Sequence, residues 1–291
     1  MPLMDTSEAR YGDIARQMAE RSDWVTPWFR DGNPFWGKPP LAFWLSAIGF
    51  KVFGVNEFGA RAPHWLLGVM LAALVWWQGR RHSRRVAWHA AALLGGSALV
   101  LFLSGAVLTD MALALGNALV MIGLWRALAE PQAVQALAGG GQSAQWLIAL
   151  GAIIGLLAKG PVAIVLCAMP VLAWALWAGR LRLLWRRVAW IRGSLLVAAV
   201  ALPWYVLAEM RTPGFLAYFI VGEHWHRFMT SGWQGDLYGN AHAYPRGTIW
   251  LDAVTAVLPW PLLLPLAWWS ARRAGRPERP GDVTRPPGAT R

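Results

Sequence analysis

Residues 161–179 read PVAIVLCAMPVLAWALWAG and contain no Asp, Glu, Lys, Arg or His. Soluble cores rarely sustain an apolar run of this length, whereas a helix that crosses about 30 Å of hydrocarbon needs roughly 20 such residues. Similar runs recur along the chain without the two-residue alternation of barrel strands, so we predict helices. The predicted spans are 62–79, 86–107, 109–128, 146–159, 161–179, 193–210 and 248–270.

The composition indicates the same class of protein, an integral membrane protein. Of the 291 residues, 56% are apolar and 14% are charged, and the mean hydropathy is +0.37. The net charge is +12, but the arginines cluster between the predicted spans, which argues against a nucleic-acid-binding protein. The single cysteine, Cys167, lies in an apolar run and excludes an intrachain disulfide and a cysteine-based metal site.

Four groups of arginines follow alternate spans, and placing them in the cytoplasm makes every other loop external. The external parts are then residues 1–60, the turns at 104–110 and 159–161, and the loop 211–247. The arginine groups are Arg80, Arg81, Arg84 and Arg85; Arg126; the five arginines of 180–192; and Arg272 with Arg273.

This orientation divides the chain into three regions. They are an external loop over 1–60, a transmembrane bundle over 61–270 that includes the loop 211–247, and a tail over 271–291. The tail is rich in Pro, Gly and Arg and is predicted to be disordered in the cytoplasm. The first residues read like the middle of a loop, so we expect a further span upstream of them.

Two short helices are predicted within the external loop. The first covers 8–22, with Ser7 or Thr6 as its N-cap. The second lies within 39–54, an aromatic, apolar stretch that is interrupted by Lys51 and is short for a span. We therefore expect it to lie along the membrane surface.

The motif DTSEARY at residues 5–11 carries two acids beside a cation and a phenol. Glu8, in the first turn of a helix, could simply complement the helix dipole. Alternatively, Asp5 and Glu8 share an environment with Arg10 and Tyr11, and paired carboxylates can hold different pKa values, which suits one of them to act as a general base.

Lysine is scarce, because only Lys38, Lys51 and Lys159 occur beside 24 arginines. In the motif FWGKPP at 35–40, the two prolines hold Lys38 at a defined point, where its ammonium could snorkel to the interface or bind a lipid phosphate. Asp110 and Lys159 stand at the outer ends of predicted spans. They could pair with each other or line an aqueous cleft.

The loop 211–247 combines aromatic residues, histidines and glycines. Glu223, His224 and His226, with His242, are the only plausible metal ligands, but the spacing Glu-His-x-His is not a zinc signature and we predict no cofactor. The aromatic residues fit sugar stacking or interfacial anchoring. Cations, paired acids and an aromatic loop at one membrane face together suggest a reaction on a lipid-linked phosphate.

These motifs, in this order, resemble the GT-C glycosyltransferases over residues 3–270. The branch most similar to the chain contains the lipid A aminoarabinose transferases and the dolichyl-phosphate-mannose protein mannosyltransferases. The matching motifs are EARY at 8–11, KPP at 38–40, TDM at 109–111, KGP at 159–161 and GEH at 222–224, followed by RF at 227–228.

The resemblance implies an all-α, polytopic transmembrane bundle of GT-C type and an inverting sugar transfer at the external face of the bacterial inner membrane, in the periplasm. The donor would be an aminoarabinose-like or mannose-like sugar on polyprenyl phosphate, and the acceptor lipid A, another glycan or a protein. The implied catalytic acids are Asp5, Glu8 and Asp110. The implied phosphate-binding residues are Arg10, Tyr11, Lys38, Lys159 and Arg227, and the implied substrate-loop residues are Glu223 and His224.

The chain departs from the family pattern at two positions. Ser7 stands directly before Glu8, where the family commonly has aspartate, and Gly37 stands where zinc-binding relatives have glutamate. The family is also longer at both ends. The greater length of the family leaves open that the chain is an inactive, truncated homologue that serves as a scaffold. A second alternative to a transferase is a transporter or flippase for polyprenyl-linked sugars.

Overall fold

The computed structural model describes residues 3, 6–30, 32–129, 140–230, 233–235, 237–238 and 245–273. The described chain is almost entirely helical, as predicted, with one antiparallel pair of short strands, β1 (Trp28–Arg30) and β2 (Asn33–Pro34). The α-helices are α1 Thr6–Arg21, α2 Leu41–Phe53, α3 Glu57–Gly79, α4 Arg84–Gly95, α5 Ala98–Ser104, α6 Asp110–Ala129, α7 Gly140–Lys159, α8 Val162–Trp177, α9 Leu181–Arg187, α10 Trp190–Arg211, α11 Arg227–Met229, α12 Thr248–Ala256 and α13 Leu264–Arg273, joined by a π-helix, Ala217–His226, and a 3₁₀ helix, Trp260–Leu263.

Four of the described helices, α3, α6, α7 and α10, are long and apolar enough to cross a membrane. Two bent pairs raise the number to as many as six if each pair counts as one span: α4 with α5, bent by 70°, and α12 with the segment 260–270, bent by 81°. Helix α8, which corresponds to the predicted span 161–179, has 16 residues and a length of only about 24 Å.

The predicted spans 86–107 and 248–270 are therefore not continuous helices in the structure. The first breaks after two adjacent glycines, Gly95 and Gly96, which are poor helix formers. The second breaks at Pro259, which lacks the amide hydrogen that a continuous helix needs. Each break lies in the middle of an otherwise apolar run, so hydropathy alone could not reveal it.

The external loop packs as a small helical layer of its own. Helix α1 buries Tyr11, Ile14 and Met18 against Phe35 and Phe43, which precede and begin α2. Both helices occur where they were predicted, but the two candidate N-caps, Ser7 and Thr6, lie inside α1. Because Tyr11 meets Phe35 and Phe43 edge-on, the turn that carries Lys38 is held against α1.

Helices α6 and α7 run antiparallel at very close range. A β-carbon on Gly116 would stand 2.8 Å from the carbonyl oxygen of Gly151 and 2.9 Å from the amide nitrogen of Gly155, so only glycine fits. Small residues that let helix backbones touch are typical of membrane-helix interfaces. Asp110 begins α6 and Lys159 ends α7, so this packing brings both charges to the same end of the bundle.

Replacing Gly116 by alanine should therefore destabilise the protein by about 1–3 kcal/mol, because the added methyl group must force the two helices apart. The matched control is Gly141→Ala on α7, where a β-carbon meets nothing within 4 Å and alanine gains up to about 1 kcal/mol of helix propensity. Thermal unfolding in detergent measures both changes. Equal shifts for the two variants would contradict the close packing.

Candidate functional site

Five charged side chains from distant parts of the sequence gather at one end of the bundle. We call Lys38, Asp110, Lys159, Glu223 and Arg227 the charged cluster. Lys38 precedes α2, Asp110 and Lys159 lie at helix ends, Glu223 lies on the π-helix, and Arg227 follows it. Contacts among these side chains join the external loop to the loop 211–247, and His224 links that loop to the bundle at Lys159.

Glu223 is the centre of this cluster. One of its oxygens, Oε2, accepts hydrogen bonds from Arg227 Nη1 at 2.9 Å and from Lys38 Nζ at 3.3 Å. The other, Oε1, accepts one from the hydroxyl of Tyr218 at 3.1 Å. The carboxylate is buried, with 5% of the side chain exposed. Three donors thus converge on a single anionic position.

Burial and ion pairing shift the pKa of Lys38 in opposite directions. Desolvation lowers the pKa of its ammonium below the usual value, whereas the charge and hydrogen bond of Glu223 oppose this effect. The nearby charges of Arg227 and Lys159 lower the pKa further. Additional negative charge beside Lys38 would therefore stabilise its charged form, which is the property of an anion-binding site.

Asp110 and Lys159 form the second ion pair of the cluster. Lys159 Nζ stands 2.5 Å from Asp110 Oδ1, and both side chains remain about one-third exposed, at 28% for Lys159 and 36% for Asp110. The two predicted alternatives for these residues are thus compatible, because they pair with each other and still face solvent.

His224 joins the π-helix to the turn that follows Lys159. Its Nδ1 lies 2.7 Å from the carbonyl oxygen of Phe219, and its Nε2 lies 3.2 Å from that of Lys159. The turn itself needs Gly160, whose φ of +77° is left-handed and whose β-carbon position is occupied by the Phe219 ring. In this structure His224 positions the Lys159 turn.

Helix α1 carries Arg10 and Tyr11, and the charges of the cluster act on Tyr11. The phenol of Tyr11 is buried, which raises its pKa well above the usual value, and the charge of Arg10 partly opposes this effect. Asp110, Glu223 and Arg227 also act electrostatically on Tyr11, so the phenol lies close to both halves of the cluster. Arg10 stacks on Phe29, 5.2 Å from the ring centroid.

Glu8 is tied to the bundle. Arg61 on α3 binds it in bidentate fashion, through Nε at 2.8 Å and Nη2 at 2.9 Å, and the amide of Val107 donates a third hydrogen bond at 3.2 Å. Sequence reasoning missed Arg61, whose one signal was a lone cation at the outer end of the first predicted span. Asp5, the other predicted acid of this motif, lies outside the described residues.

The loop 211–247 docks on the motif FWGKPP through aromatic side chains. Trp36 donates from its indole to Thr212 Oγ1 at 3.1 Å, and its amide donates to the hydroxyl of Tyr238 at 3.0 Å. That hydroxyl donates in turn to the carbonyl oxygen of Pro34 at 2.8 Å. Tyr218 adds a ring contact with Trp36, at 6.0 Å between centroids, so Tyr238 and Tyr218 hold the two external segments together.

The candidate metal ligands do not converge in the described part of the chain. No group of three His, Cys, Asp or Glu side chains with metal-binding geometry occurs there. Glu223 is surrounded by cations, His224 faces two carbonyl oxygens, and His226 stacks on Trp233. His242 lies outside the described residues.

The fold and the cluster define the class of protein as an all-helical membrane protein of GT-C type. A solved relative, ArnT from Cupriavidus metallidurans bound to undecaprenyl phosphate, is 26% identical with a TM-score of 0.78, over 94% of this chain and 48% of that one. The apo form of the same protein matches with a TM-score of 0.75 at 24% identity, over 92% of this chain and 47% of that one.

The sequence model of the dolichyl-phosphate-mannose-protein mannosyltransferase family matches residues 3–219, and the chain belongs to this family. Two relatives are undecaprenyl phosphate-alpha-4-amino-4-deoxy-L-arabinose arabinosyl transferases. The protein of Erwinia tasmaniensis is 29% identical over 97% of this chain and 48% of its own length. A protein of Pseudomonas fluorescens is 30% identical over 95% and 48%. The chain thus spans about half the length of the curated relatives that it matches.

The Glu8–Arg61 pair should contribute to stability as a coupled unit. In a double-mutant cycle of Glu8→Gln and Arg61→Gln, we expect a coupling energy of about 1–2 kcal/mol, because both groups are largely shielded and the hydrogen bonds are charge-assisted. Thermal unfolding in detergent gives the four stabilities.

The control cycle uses Arg16→Gln and Glu20→Gln, an exposed pair with a 2.8 Å contact on the same helix. Its coupling should be no more than about 0.5 kcal/mol. A coupling for Glu8 and Arg61 as small as that of the exposed pair would show that Glu8 does not fasten α1 to the bundle.

Proposed function

We propose that the protein is a glycosyltransferase that moves an aminoarabinose-like sugar from polyprenyl phosphate to lipid A or a related envelope acceptor, with inversion. The observation that carries the proposal is the convergence of Lys38 and Arg227 on one buried anionic position at the outer end of the bundle. The names of the arabinosyl transferase relatives and the undecaprenyl phosphate bound to ArnT support this donor class.

The charged cluster suits the departure of a phosphate. As the bond between the sugar and the phosphate breaks, negative charge develops on the leaving oxygen, and positioned cations stabilise it in a site that excludes water. Lys38 and Arg227 provide that charge, and Lys159, whose charge Asp110 balances, acts on Lys38 from nearby. The sugar carbon would develop oxocarbenium character, as in glycoside cleavage.

Among the described acids, Asp110 is the one that we assign to the acceptor. Glu8 has both oxygens engaged by Arg61 and Val107, so we assign it to positioning α1 over the cleft. Asp110 remains 36% exposed beside Lys159 and could orient or deprotonate an acceptor hydroxyl. Asp5 stays a candidate for the same task.

We further propose that the cluster faces the periplasm from the bacterial inner membrane. Two arginine groups support this orientation, because Arg80 follows the end of α3 and Arg126 lies in the last turn of α6, opposite the end that carries Asp110. By the positive-inside rule these arginines belong in the cytoplasm. The cluster at the other ends of the helices then lies outside.

The central test replaces Lys38 by glutamine. Transfer from a radiolabelled polyprenyl-phosphate aminoarabinose donor to lipid A should fall by about 100-fold, because a positioned charge on the leaving phosphate is lost. The control is Lys51→Gln, which removes an exposed lysine at the end of α2 and should leave transfer unchanged. Scintillation counting of purified lipid A measures the product.

The same preparation distinguishes the rival function. If no transfer occurs in detergent but labelled donor crosses the bilayer of reconstituted vesicles, the protein is a transporter for these lipids. If neither occurs, the scaffold alternative holds. Equal activity of the Lys38 and Lys51 variants would remove Lys38 from the phosphate site.

A further inference from the structure

We propose that Glu223 makes the phosphate site selective for charge, so that it takes a singly charged phosphodiester in preference to a doubly charged phosphomonoester. This inference rests on the proposed function. The donor in such a transfer is a phosphodiester, and the released lipid carrier is a phosphomonoester. Glu223 would thus favour binding of the donor over retention of the product.

The first argument is the charge count of the described cluster. Asp110 and Lys159 pair closely and cancel. Lys38 and Arg227 together provide two positive charges, and Glu223 removes one of them through contacts of 3.3 Å and 2.9 Å. Glu223 therefore opposes half of the positive charge that these two side chains bring to a ligand. Its repulsion of a doubly charged monoester is about twice its repulsion of a singly charged phosphodiester at the same distance.

The second argument is that the Glu223 carboxylate cannot easily move away from Lys38 and Arg227. Its side chain is 5% exposed, and the hydroxyl of Tyr218 fixes the oxygen that faces away from the cations. Glu223 lies on the π-helix, which His224 connects to the turn after Lys159. Arg227, which directly follows this helix, binds the Glu223 carboxylate. Shielding from water keeps the interaction of its charge with a bound phosphate strong.

The third argument comes from the balance of the reaction. The acceptor oxygen forms a bond to the anomeric carbon, its proton passes to the base, and the bond from that carbon to the phosphate oxygen breaks. The electron pair of the broken bond stays on the phosphate. A phosphomonoester has a second pKa of about 6 and so carries close to two negative charges at neutral pH. The second charge, which Glu223 opposes, is therefore fully developed only when transfer is complete.

The test measures binding without transfer. Farnesyl phosphate and its methyl diester, which share one chain and differ in charge, are titrated into the purified protein in detergent by calorimetry at pH 7.5. The unmodified protein should bind the diester at least as tightly as the monoester. Glu223→Gln should shift the ratio of the two dissociation constants by about tenfold toward the monoester, because one opposing charge is gone.

The control variant is Glu20→Gln, which removes one negative charge from an exposed position on α1 and should leave the ratio unchanged. A tenfold preference of the unmodified protein for the monoester would overturn the inference without any variant. So would a Glu223→Gln protein that binds both ligands equally weakly, since Glu223 would then only orient Lys38 and Arg227. An unchanged ratio of the two dissociation constants in Glu223→Gln would also overturn the inference.

The outcome of this binding experiment can be distinguished from the outcome of the sugar-transfer assay. Charge-selective binding without sugar transfer would overturn the transferase assignment and leave the role of Glu223 intact. Sugar transfer without charge selectivity would overturn only the role of Glu223.

Discussion

The bidentate ion pair between Glu8 and Arg61 joins the external loop to the bundle, and the position of the other site residues depends on it. Glu8 lies one turn before Tyr11 on α1, and its third hydrogen bond comes from Val107 in the turn that precedes Asp110. A single carboxylate therefore sets α1 against α3 and against the start of α6 at once. Through the packing of Tyr11 on Phe35, the same contact fixes the turn of Lys38.

The charged cluster is built from charges that would be unfavourable alone. Lys38 is desolvated enough to lower its pKa, and Glu223 is almost fully buried. Each is tolerated because the other is present, and breaking such a pair usually costs more than the pair itself gains. The arrangement is poor as a source of stability, whereas it suits a site that exchanges one anion for another.

The sequence alone predicted the helical class and the meeting of Asp110 and Lys159 at one end of the bundle, because hydropathy and helix ends are local properties. Asp110 and Lys159 could be matched as partners since both stand at outer ends of spans. The contact between Lys38 and Glu223 joins residues 185 positions apart, and Arg61 reaches Glu8 across 53, so no local pattern indicated either. The breaks at Gly95 and Pro259 depended on backbone chemistry that averaged hydropathy does not register.

The acids of this site differ in how much of their bonding capacity the fold has already used. A carboxylate offers about four lone-pair positions, and Glu8 fills three of them with donors while it is buried. Glu223 likewise accepts three donors. Asp110 receives Lys159 on Oδ1 and keeps 36% of its side chain exposed. An acceptor hydroxyl needs an accessible oxygen to bind. Asp110 meets this requirement better than Glu8 or Glu223, whose oxygens each already accept donors, and this is the reason for proposing Asp110 as the acid that deprotonates the acceptor.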